Sequence, residues 1–493
     1  MGDRARPLAS RLRSQPAMRR PSPPAAGRSK PGGPASADRD PDSGRPISRG
    51  DNDMHEDNLT MHADGAAPAP AAGAASPSGG AVAAAVIGNW LEFFDFTVYG
   101  FFAVIIGKLF FPSHDPTTSL LLSVATFAAG FFTRPLGSIV LGVYADRRGR
   151  KAALNLTIML MALGTGMIAL APTYAQIGVL APVIVVCARL MQGFSQGGEF
   201  GAATSTLVEQ GGAAHRGFRA SWQLATQGGA ALMGSGLAAL LSNTLAEDAL
   251  ESWGWRVPFA LGVLIAPVGM YLRRRLADDA PGAGRHGIDG GVLGELFARH
   301  GRTVLLLTLT VMGGTVSTYI LTFYMPTYAI HTLGLPMKLS MFVGVASGCV
   351  MLVTCPLFGW LSDRIGSRRL PIFVGRGVLV ALLFPAFALM NRYPSLAVVM
   401  PLTALMLLFY SMGSASEFAL MCESFPRRVR ATGISIAYAL AVTLFGGTAQ
   451  LVATWLVRVT GSKLAPAAYV AACVIVSLVA VGMLRETAAE AAD

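Results

Sequence analysis

The chain has 493 residues, of which 53% are hydrophobic and only 14% charged, with a mean hydropathy of +0.51; that balance excludes an ordinary soluble globular protein and indicates an integral membrane protein. The formal net charge of +11 raises nucleic acid as a partner, but the Lys and Arg residues are spread over alternate loops and form no clustered patch, which excludes it. Cys187, Cys349, Cys355, Cys422 and Cys473 show no metal-ligand spacing and read as small reduced core residues.

Residues 1–80 are rich in Pro, Ala, Ser, Gly and Arg and have no sustained apolar period, so they are expected to form a disordered cytoplasmic tail. The tail lacks the apolar core of a cleaved signal peptide, which leaves the first helix as an uncleaved membrane signal. Its basic bias can touch anionic lipid. Translation beginning at Met54 or Met61 would instead make it a gene-start artefact.

Apolar runs long enough to cross a bilayer follow at about 81–109, 118–144, 152–171, 176–208, 217–243 and 256–275. After a polar, Gly-containing cytoplasmic linker at 276–302, six more lie at about 303–330, 339–361, 370–390, 395–422, 430–457 and 464–484. This predicts an all-α membrane protein with twelve transmembrane helices in two pseudo-symmetric six-helix bundles, 81–275 and 303–486, and a short cytoplasmic tail at 487–493. The strongly basic loops hold Arg147, Arg148, Arg150 and Lys151; Arg216 and Arg219; Arg273 to Arg275; Arg364, Arg368 and Arg369; and Arg427, Arg428 and Arg430. The alternate loops carry few cations, so the positive-inside rule places both termini in the cytoplasm.

The first run contains Gly88 to Gly100, GNWLEFFDFTVYG, with Glu92 and Asp95 among apolar residues. A carboxylate at that depth costs about 2.5 to 3.5 kcal/mol on insertion scales, so each is expected to face a polar interior, find a cation or hold a proton.

The second run ends in Gly142-Val-Tyr-Ala-Asp146-Arg147-Arg148-Gly149-Arg150-Lys151, and the eighth in Gly359-Trp-Leu-Ser-Asp363-Arg364-Ile-Gly366-Ser-Arg368-Arg369. Asp146 and Asp363 lie 217 positions apart (363 minus 146), and Glu209 precedes Arg216 by seven as Glu423 precedes Arg430. The chain therefore reads as a duplicated six-helix unit. An Asp with several Arg, and a Gly for the tight turn, can form a charge latch between helices that closes in one conformation and breaks in another; the plainer alternative is a basic loop that only sets topology.

These paired D-R-x-G loops resemble those of the major facilitator superfamily of secondary transporters. GNWLEFFDFTVYG (88–100), GFFTRPLGSIVLGVYADRRGRK (130–151) and RLMQGFSQGGEFG (189–201) are similar to its metabolite:proton symporter branch, which carries organic acids, shikimate or zwitterionic osmolytes. The similarity covers about 81–486, and YILTFYMPTY (319–328) and RATGISIAYALAVTLFGG (430–447) look most like the citrate:proton symporters. The resemblance implies a bacterial inner-membrane symporter, functional as a monomer, that uses no cofactor and moves a small organic anion with protons.

Counting residues from the run ends places Asp95 and Arg189 near mid-membrane, where they are expected to be able to pair. Such a pair is either a proton switch, since burial favours the neutral carboxyl and an adjacent guanidinium the ionised one, or a permanent ion pair holding two helices together. Arg189-x-x-x-Gly193 also matches the superfamily's fourth-helix motif associated with proton coupling. Arg134, Glu199 and Glu92 fall in a more cytoplasmic layer; the first two read as a packing pair and Glu92 is left open between coupling and packing. Arg376 and Glu417 read as the second half's packing pair, with a substrate role as the alternative.

A tricarboxylate needs fixed cations and hydroxyl or amide donors. The first half offers Arg189, Gln192, Gln223 and Gln227; the second offers Tyr319, Thr322, Tyr324, Tyr328 and Tyr438, with His331 near the outer mouth. Tyr is also enriched at membrane interfaces, which Tyr319 and Tyr438 escape by lying near mid-span. An Arg-poor cavity would favour a zwitterion over a tricarboxylate. Neither a phosphate loop nor a nucleophile set is found, so the energy would come from a gradient. A non-transporting nutrient sensor is the remaining alternative.

Overall fold

The computed structural model describes residues 79–148, 150–197, 216–274, 290–426 and 429–484. Among them every regular element is helical, the form in which an apolar chain without water satisfies its own backbone N–H and C=O groups. In chain order these are α1 (Gly79–Phe101), α2 (Ala103–Phe110), α3 (Pro116–Phe132), α4 (Arg134–Arg148), α5 (Arg150–Leu170), the four-residue α6 (Tyr174–Ile177), α7 (Leu180–Gly197), α8 (Arg216–Thr244) and α9 (Glu247–Ser252). They are followed by α10 (Val257–Arg274), α11 (Gly290–Thr318), α12 (Met325–His331), α13 (Met337–Ile365), α14 (Arg369–Arg392), α15 (Leu396–Glu423), α16 (Arg430–Ala441), α17 (Ala449–Thr460) and α18 (Ala465–Met483).

By length and hydropathy, eight helices among the described residues can each cross a membrane, and nine if α1 and α2, bent by 61° at their junction, form one span. The protein is thus a multi-pass, all-helical membrane protein.

Three features depart from uniform apolar runs. The expected linker at 276–302 is cut short by α11, which starts at Gly290; its Leu296 is fully buried while Phe297 is exposed, so an amphipathic pattern carries the helix into the polar stretch. The run at 303–330 is interrupted by a π-helical turn at Tyr319–Tyr324, and the run at 430–457 by another at Val442–Gly446. A π turn adds a residue to the helical circumference and re-aims the side chains around it. Here it sets Tyr319 against Gly446, where an added Cβ would lie 3.0 Å from the Tyr319 ring.

Close helix approach rests on glycine. On α7, a Cβ at Gly193 would lie 2.5 Å from the Gly130 carbonyl carbon and 2.7 Å from Thr133 Oγ1, a hydroxyl that donates to Gly130 O at 3.0 Å and Leu190 O at 2.8 Å where α3 gives way to α4. Between the two halves of the sequence, α8 and α13 meet through Gly228 and Gly348, with a Cβ on Gly228 falling 2.7 Å from Met351 Cβ. Lipid gives no hydrophobic drive for helix association, so such small-residue contacts supply van der Waals contact directly. Cys355, Cys422 and Cys473 are buried, but Cys187 and Cys349 are exposed on helix faces and are not core residues.

Gly193→Ala should therefore destabilise the protein by about 1–3 kcal/mol through overpacking. Gly377→Ala, whose Cβ would meet no atom within 4 Å, should stay within about 1 kcal/mol of wild type. Thermal unfolding of the two purified variants in detergent checks this; equal shifts would refute the backbone contact.

Candidate functional site

Arg189 on α7 is fully buried. Its Nη1 donates to Phe96 O at 3.1 Å and to Gln192 Oε1 at 2.8 Å, and Gln192 Nε2 donates in turn to Thr165 Oγ1 at 2.9 Å. The rings of Phe96, Tyr99 and Phe127 stand 4.1, 4.8 and 4.8 Å from the guanidinium carbon. Nε and Nη2 have no hydrogen-bond partner among the described residues. The cation is held by neutral acceptors and ring faces, which stabilise a desolvated guanidinium without neutralising it.

Asp95 is also buried, and its Oδ1 has no hydrogen-bond partner among the described residues. The expected Asp95–Arg189 ion pair is absent from this conformation: among the described residues neither group makes one. Depth counting gives height along a helix and not direction around it. Arg189 is engaged by the backbone carbonyl and ring of Phe96, whereas Asp95, about 100° further back around α1, faces α10, where a Cβ at Gly262 would collide with its carboxylate.

Arg134 opens α4, with its guanidinium carbon 4.0 Å from the Phe131 ring centre and 4.6 Å from that of Phe96, and its Nη2 donates to Gln196 Oε1. Tyr319, Tyr438 and the half-buried Glu92 lie within its electrostatic reach. Its expected partner Glu199 lies outside the described residues.

A narrow cavity between α8 and the second half is lined by Gln227, Tyr319, Tyr410, Glu417, Phe418 and Tyr438, among others. Of the residues expected to bind substrate, Gln227, Tyr319 and Tyr438 are therefore on its wall. The others are placed elsewhere. Arg189 and Gln192 sit within the first half, beyond Phe96 and Phe127. Gln223 donates to Asn89 Oδ1 at 3.2 Å, beside an Asn89–Thr226 hydrogen bond. Thr322 donates to Met351 Sδ at 3.1 Å. Tyr324 accepts from Thr454 at 3.4 Å, and Tyr328 donates to Asn391 Oδ1 and Lys463 O at 3.1 and 2.8 Å, which are packing roles. His331 is half-buried at the end of α12.

Arg376 and Glu417 form a buried ion pair, Nη2 to Oε2 at 2.7 Å. Arg376 Nη1 donates to Ser477 Oγ, which donates onward to Thr310 O at 2.7 Å. Glu417 belongs to the cavity wall as well. Two residues that the sequence does not single out are Gln450, fully buried with neither amide atom partnered among the described residues, and Gly262 opposite Asp95. Neither carries a local signal, because one amide or one glycine in an apolar run is ordinary.

At the basic-loop end, the Asp363 carboxylate accepts from Gly217 N and Phe218 N, both at 2.8 Å, at the start of α8. Arg368 bridges Asp363 at 2.7 Å and Glu423 at 3.2 Å. Asp363 is thus met by the positive end of a helix as well as by an arginine. Arg364, expected in the latch, turns instead over the Trp360 ring at 4.3 Å, leaving Asp363 to Arg368. Gly366 closes α13 in the left-handed conformation, φ 71°, and Arg430 Nε donates to Phe425 O at 3.2 Å. Arg216 is the first residue of α8. In the first half Arg147 is exposed and Gly142 meets no atom where a Cβ would stand. The Asp146 and Arg150 side chains, Gly149 and Glu209 lie outside the described residues.

At the opposite end, Asp115 caps α3 by accepting from Thr117 N at 3.0 Å, Thr118 N at 3.2 Å and Thr118 Oγ1 at 2.7 Å. Arg458 of α17 lies 3.3 Å from its carboxylate and donates to Thr118 Oγ1 at 2.9 Å. The Thr118 hydroxyl, then the Thr117 N–H, with Arg458 behind, hold the Asp115 carboxyl below its ordinary range.

Comparison with known proteins places these features in context. Residues 85–449 match the Major Facilitator Superfamily. The citrate-proton symporter of Salmonella typhi is 36% identical over 409 residues, covering 82% of this chain and 93% of that protein. The proline/betaine transporter of Salmonella typhimurium is 33% identical over 422 residues, covering 83% of each. Among solved structures, a D-xylose-proton symporter shares the fold with a TM-score of 0.68 at 16% identity, covering 83% of this chain and 98% of that one.

A carboxyl held low in the folded state stabilises it above the range of free Asp, near pH 3.9, and loses that contribution as pH falls through the folded value. Asp115→Asn keeps a competent helix cap but not the charge. At pH 7 the variant should unfold at a lower temperature than wild type, and the difference should close as the pH is lowered through the carboxylate range. A pH-independent difference would show that the charge plays no part.

Proposed function

Because the chain belongs to the major facilitator superfamily, we propose that it is a proton-coupled secondary transporter that imports a small organic anion by alternating access, with citrate or a related tricarboxylate as the favoured cargo. The observation that carries the anion is Arg189, a buried guanidinium held only by neutral acceptors and aromatic rings among the described residues. With Arg134 beside it, the first half keeps a positive core facing the Tyr319 hydroxyl, and a desolvated cation attracts carboxylates far more strongly than one in water.

The architecture is that of twelve spans in two six-helix bundles, 81–275 and 303–486, in the bacterial inner membrane with both termini cytoplasmic. The bent α1–α2 pair and the apolar helix in Asn155–Leu170 add to the eight long spans, and α7 and α10 complete the count. The monomer is the transporting unit in this reading. Asp363 and Asp115 close opposite ends of the cavity, and their release in turn exposes it to one side and then the other.

Asp95 carries the coupled proton. Its unpartnered oxygen is poised to accept one, and a conformational change that brings Arg189 round to it would displace that proton.

One observation favours a second reading. The residues on the cavity wall include Tyr319, Tyr410, Tyr438, Phe418 and Glu417 but no arginine. Aromatic faces with one carboxylate suit a quaternary ammonium, so a betaine-like zwitterion is the alternative cargo.

Uptake of labelled citrate into proteoliposomes under an inward proton gradient separates these readings. Accumulation abolished by a protonophore and competed by tricarboxylates but not betaine is expected; competition by betaine alone overturns the citrate assignment. Asp95→Asn should lose at least about tenfold in gradient-driven accumulation, about 1.4 kcal/mol of coupling, while retaining exchange of labelled for unlabelled substrate. Full accumulation by this variant would remove Asp95 from the coupling role.

A further inference from the structure

The coupling scheme leaves unused a second buried carboxylate, and it is the one on the cavity wall. Glu417 is 4% exposed. Its Oε2 is fixed by Arg376 at 2.7 Å, and Arg376 is fixed in turn by Ser477. Its Oε1 has no hydrogen-bond partner among the described residues. Gly314 of α11 makes the room: a Cβ there would lie 3.1 Å from Arg376 Nη2 and would strike the Glu417 carboxylate. A pair needed only for packing would be served best with both oxygens satisfied, whereas this one holds one oxygen still and leaves the other without a partner among the described residues, on a residue that lines the cavity.

We propose that Glu417 is a second proton-binding site of the transport cycle, located on the substrate cavity in the second half, with Arg376 as its positioning residue. This rests on the transport reading above. An ionised carboxylate offers only acceptors, as does an organic anion, so the two repel; once protonated, the same group donates one hydrogen bond to a substrate carboxylate. Occupation of the cavity by an anion therefore draws a proton onto Oε1, and departure of the anion lets it go. Only an O–H bond forms and breaks, the proton coming from water on the side of entry and returning to water on the side of exit.

The groups around Glu417 suit this role. Arg376 from α14 is the cation that faces it among the described residues, and it engages the other oxygen. Tyr410 on its own helix and Tyr438 on α16 are within electrostatic reach, and the Tyr319 hydroxyl of the π turn shares the cavity. Tyr410 is hydrogen-bonded to Thr318 of α11, with Cys355 of α13 beside it. From α8 come only the neutral Leu224 and Gln227, and from α18 the Ser477 hydroxyl on Arg376. The neighbourhood thus holds one cation, on Oε2, and neutral hydroxyls, a thiol and an amide elsewhere.

Infrared difference spectroscopy of the full-length protein in liposomes tests this by following the carboxylic-acid C=O stretch against pH, without and with citrate. Wild type should show a titrating band that is absent from Glu417→Gln, present in Asp95→Asn and moved to higher pH by citrate. In parallel, the slope of citrate affinity against pH should be shallower in Glu417→Gln by one proton, about tenfold in affinity per pH unit. Should the lone neutral substitution leave Arg376 unable to fold in place, the double variant Arg376→Gln with Glu417→Gln removes both charges, and the same missing band is expected. A titrating band and an affinity slope unchanged in these variants would overturn the proposal and leave Glu417 as the packing partner of Arg376. A band lost in Glu417→Gln but insensitive to citrate, and moved instead by another organic acid or by betaine, would uphold the site and discard citrate as cargo.

Discussion

A charge that has left water must find a partner, and this requirement orders the interior of the molecule. Three solutions occur side by side. Arg376 and Glu417 neutralise each other at 2.7 Å. Arg189 is stabilised without being neutralised, by carbonyl and amide oxygens and three ring faces. Asp95 keeps an oxygen with no partner among the described residues. The first could be replaced by apolar side chains at little cost or even a gain in stability. All three leave a buried polar atom without a partner among the described residues, Glu417 Oε1 included, at about 1–3 kcal/mol each, which stability alone does not explain. Residual charge held in place at such a cost is what a protein that binds ions and protons inside a bilayer requires.

The aromatic layer links these charges to the cavity. Phe131 lies edge-on to Tyr319, with ring centres 5.5 Å apart, and Phe127 lies 6.3 Å from the same ring. Arg189 lies against Phe96 and Phe127 and Arg134 against Phe96 and Phe131, while Tyr319 and Tyr438, both within reach of Arg134, line the cavity. Tyr319 belongs to both layer and cavity, since its ring packs on the phenylalanines, its hydroxyl faces Arg134 and it lines the cavity. It can do so because it begins a π turn and is packed against Gly446 in the other π turn. The Tyr319–Tyr324 turn is buried throughout, where neighbouring helices shield its irregular backbone from lipid, whereas the second turn exposes Leu444.

What is legible in the sequence is what composition and position encode. Apolar runs mark the helices, and the recurrent Asp and Gly mark Asp363 and the left-handed Gly366 turn. Charges within apolar runs single out Asp95, Arg189, Arg376 and Glu417 with no knowledge of their neighbours. Direction around a helix is not legible, because it depends on residues far away in sequence. The depth match of Asp95 and Arg189 therefore does not foretell that Gly262 faces one and Phe96 the other. The π turns are hidden for a similar reason: YILTFY and VTLFG have no composition that separates them from ordinary helix. For Glu417, depth is enough to suggest the ion pair with Arg376, but neither its free oxygen nor the cavity beside it leaves a mark on the sequence.

The contacts at Asp363 and at Asp115 are not equally strong. At the Asp363 end, the carboxylate is nearly buried and receives two backbone N–H bonds from α8 as well as Arg368. At the Asp115 end, both members of the Arg458 pair are nearly half exposed, where solvent screening leaves an ion pair little strength. The close contacts between α8 and α13 run along the whole helix pair, from Gly217 with Gly359 through Gly228 with Gly348 to Ser235 with Gly344. The Asp363 end adds charge-assisted bonds to close packing, but α8 and α13 also meet towards the other end, where Asn243 Nδ2 donates to Lys338 O at 3.2 Å and a Cβ at Gly344 would lie 2.7 Å from Ser235 Cβ. Parting α8 from α13 at either end thus breaks close packing as well as polar bonds, and at the Asp363 end the bonds lost are charge-assisted.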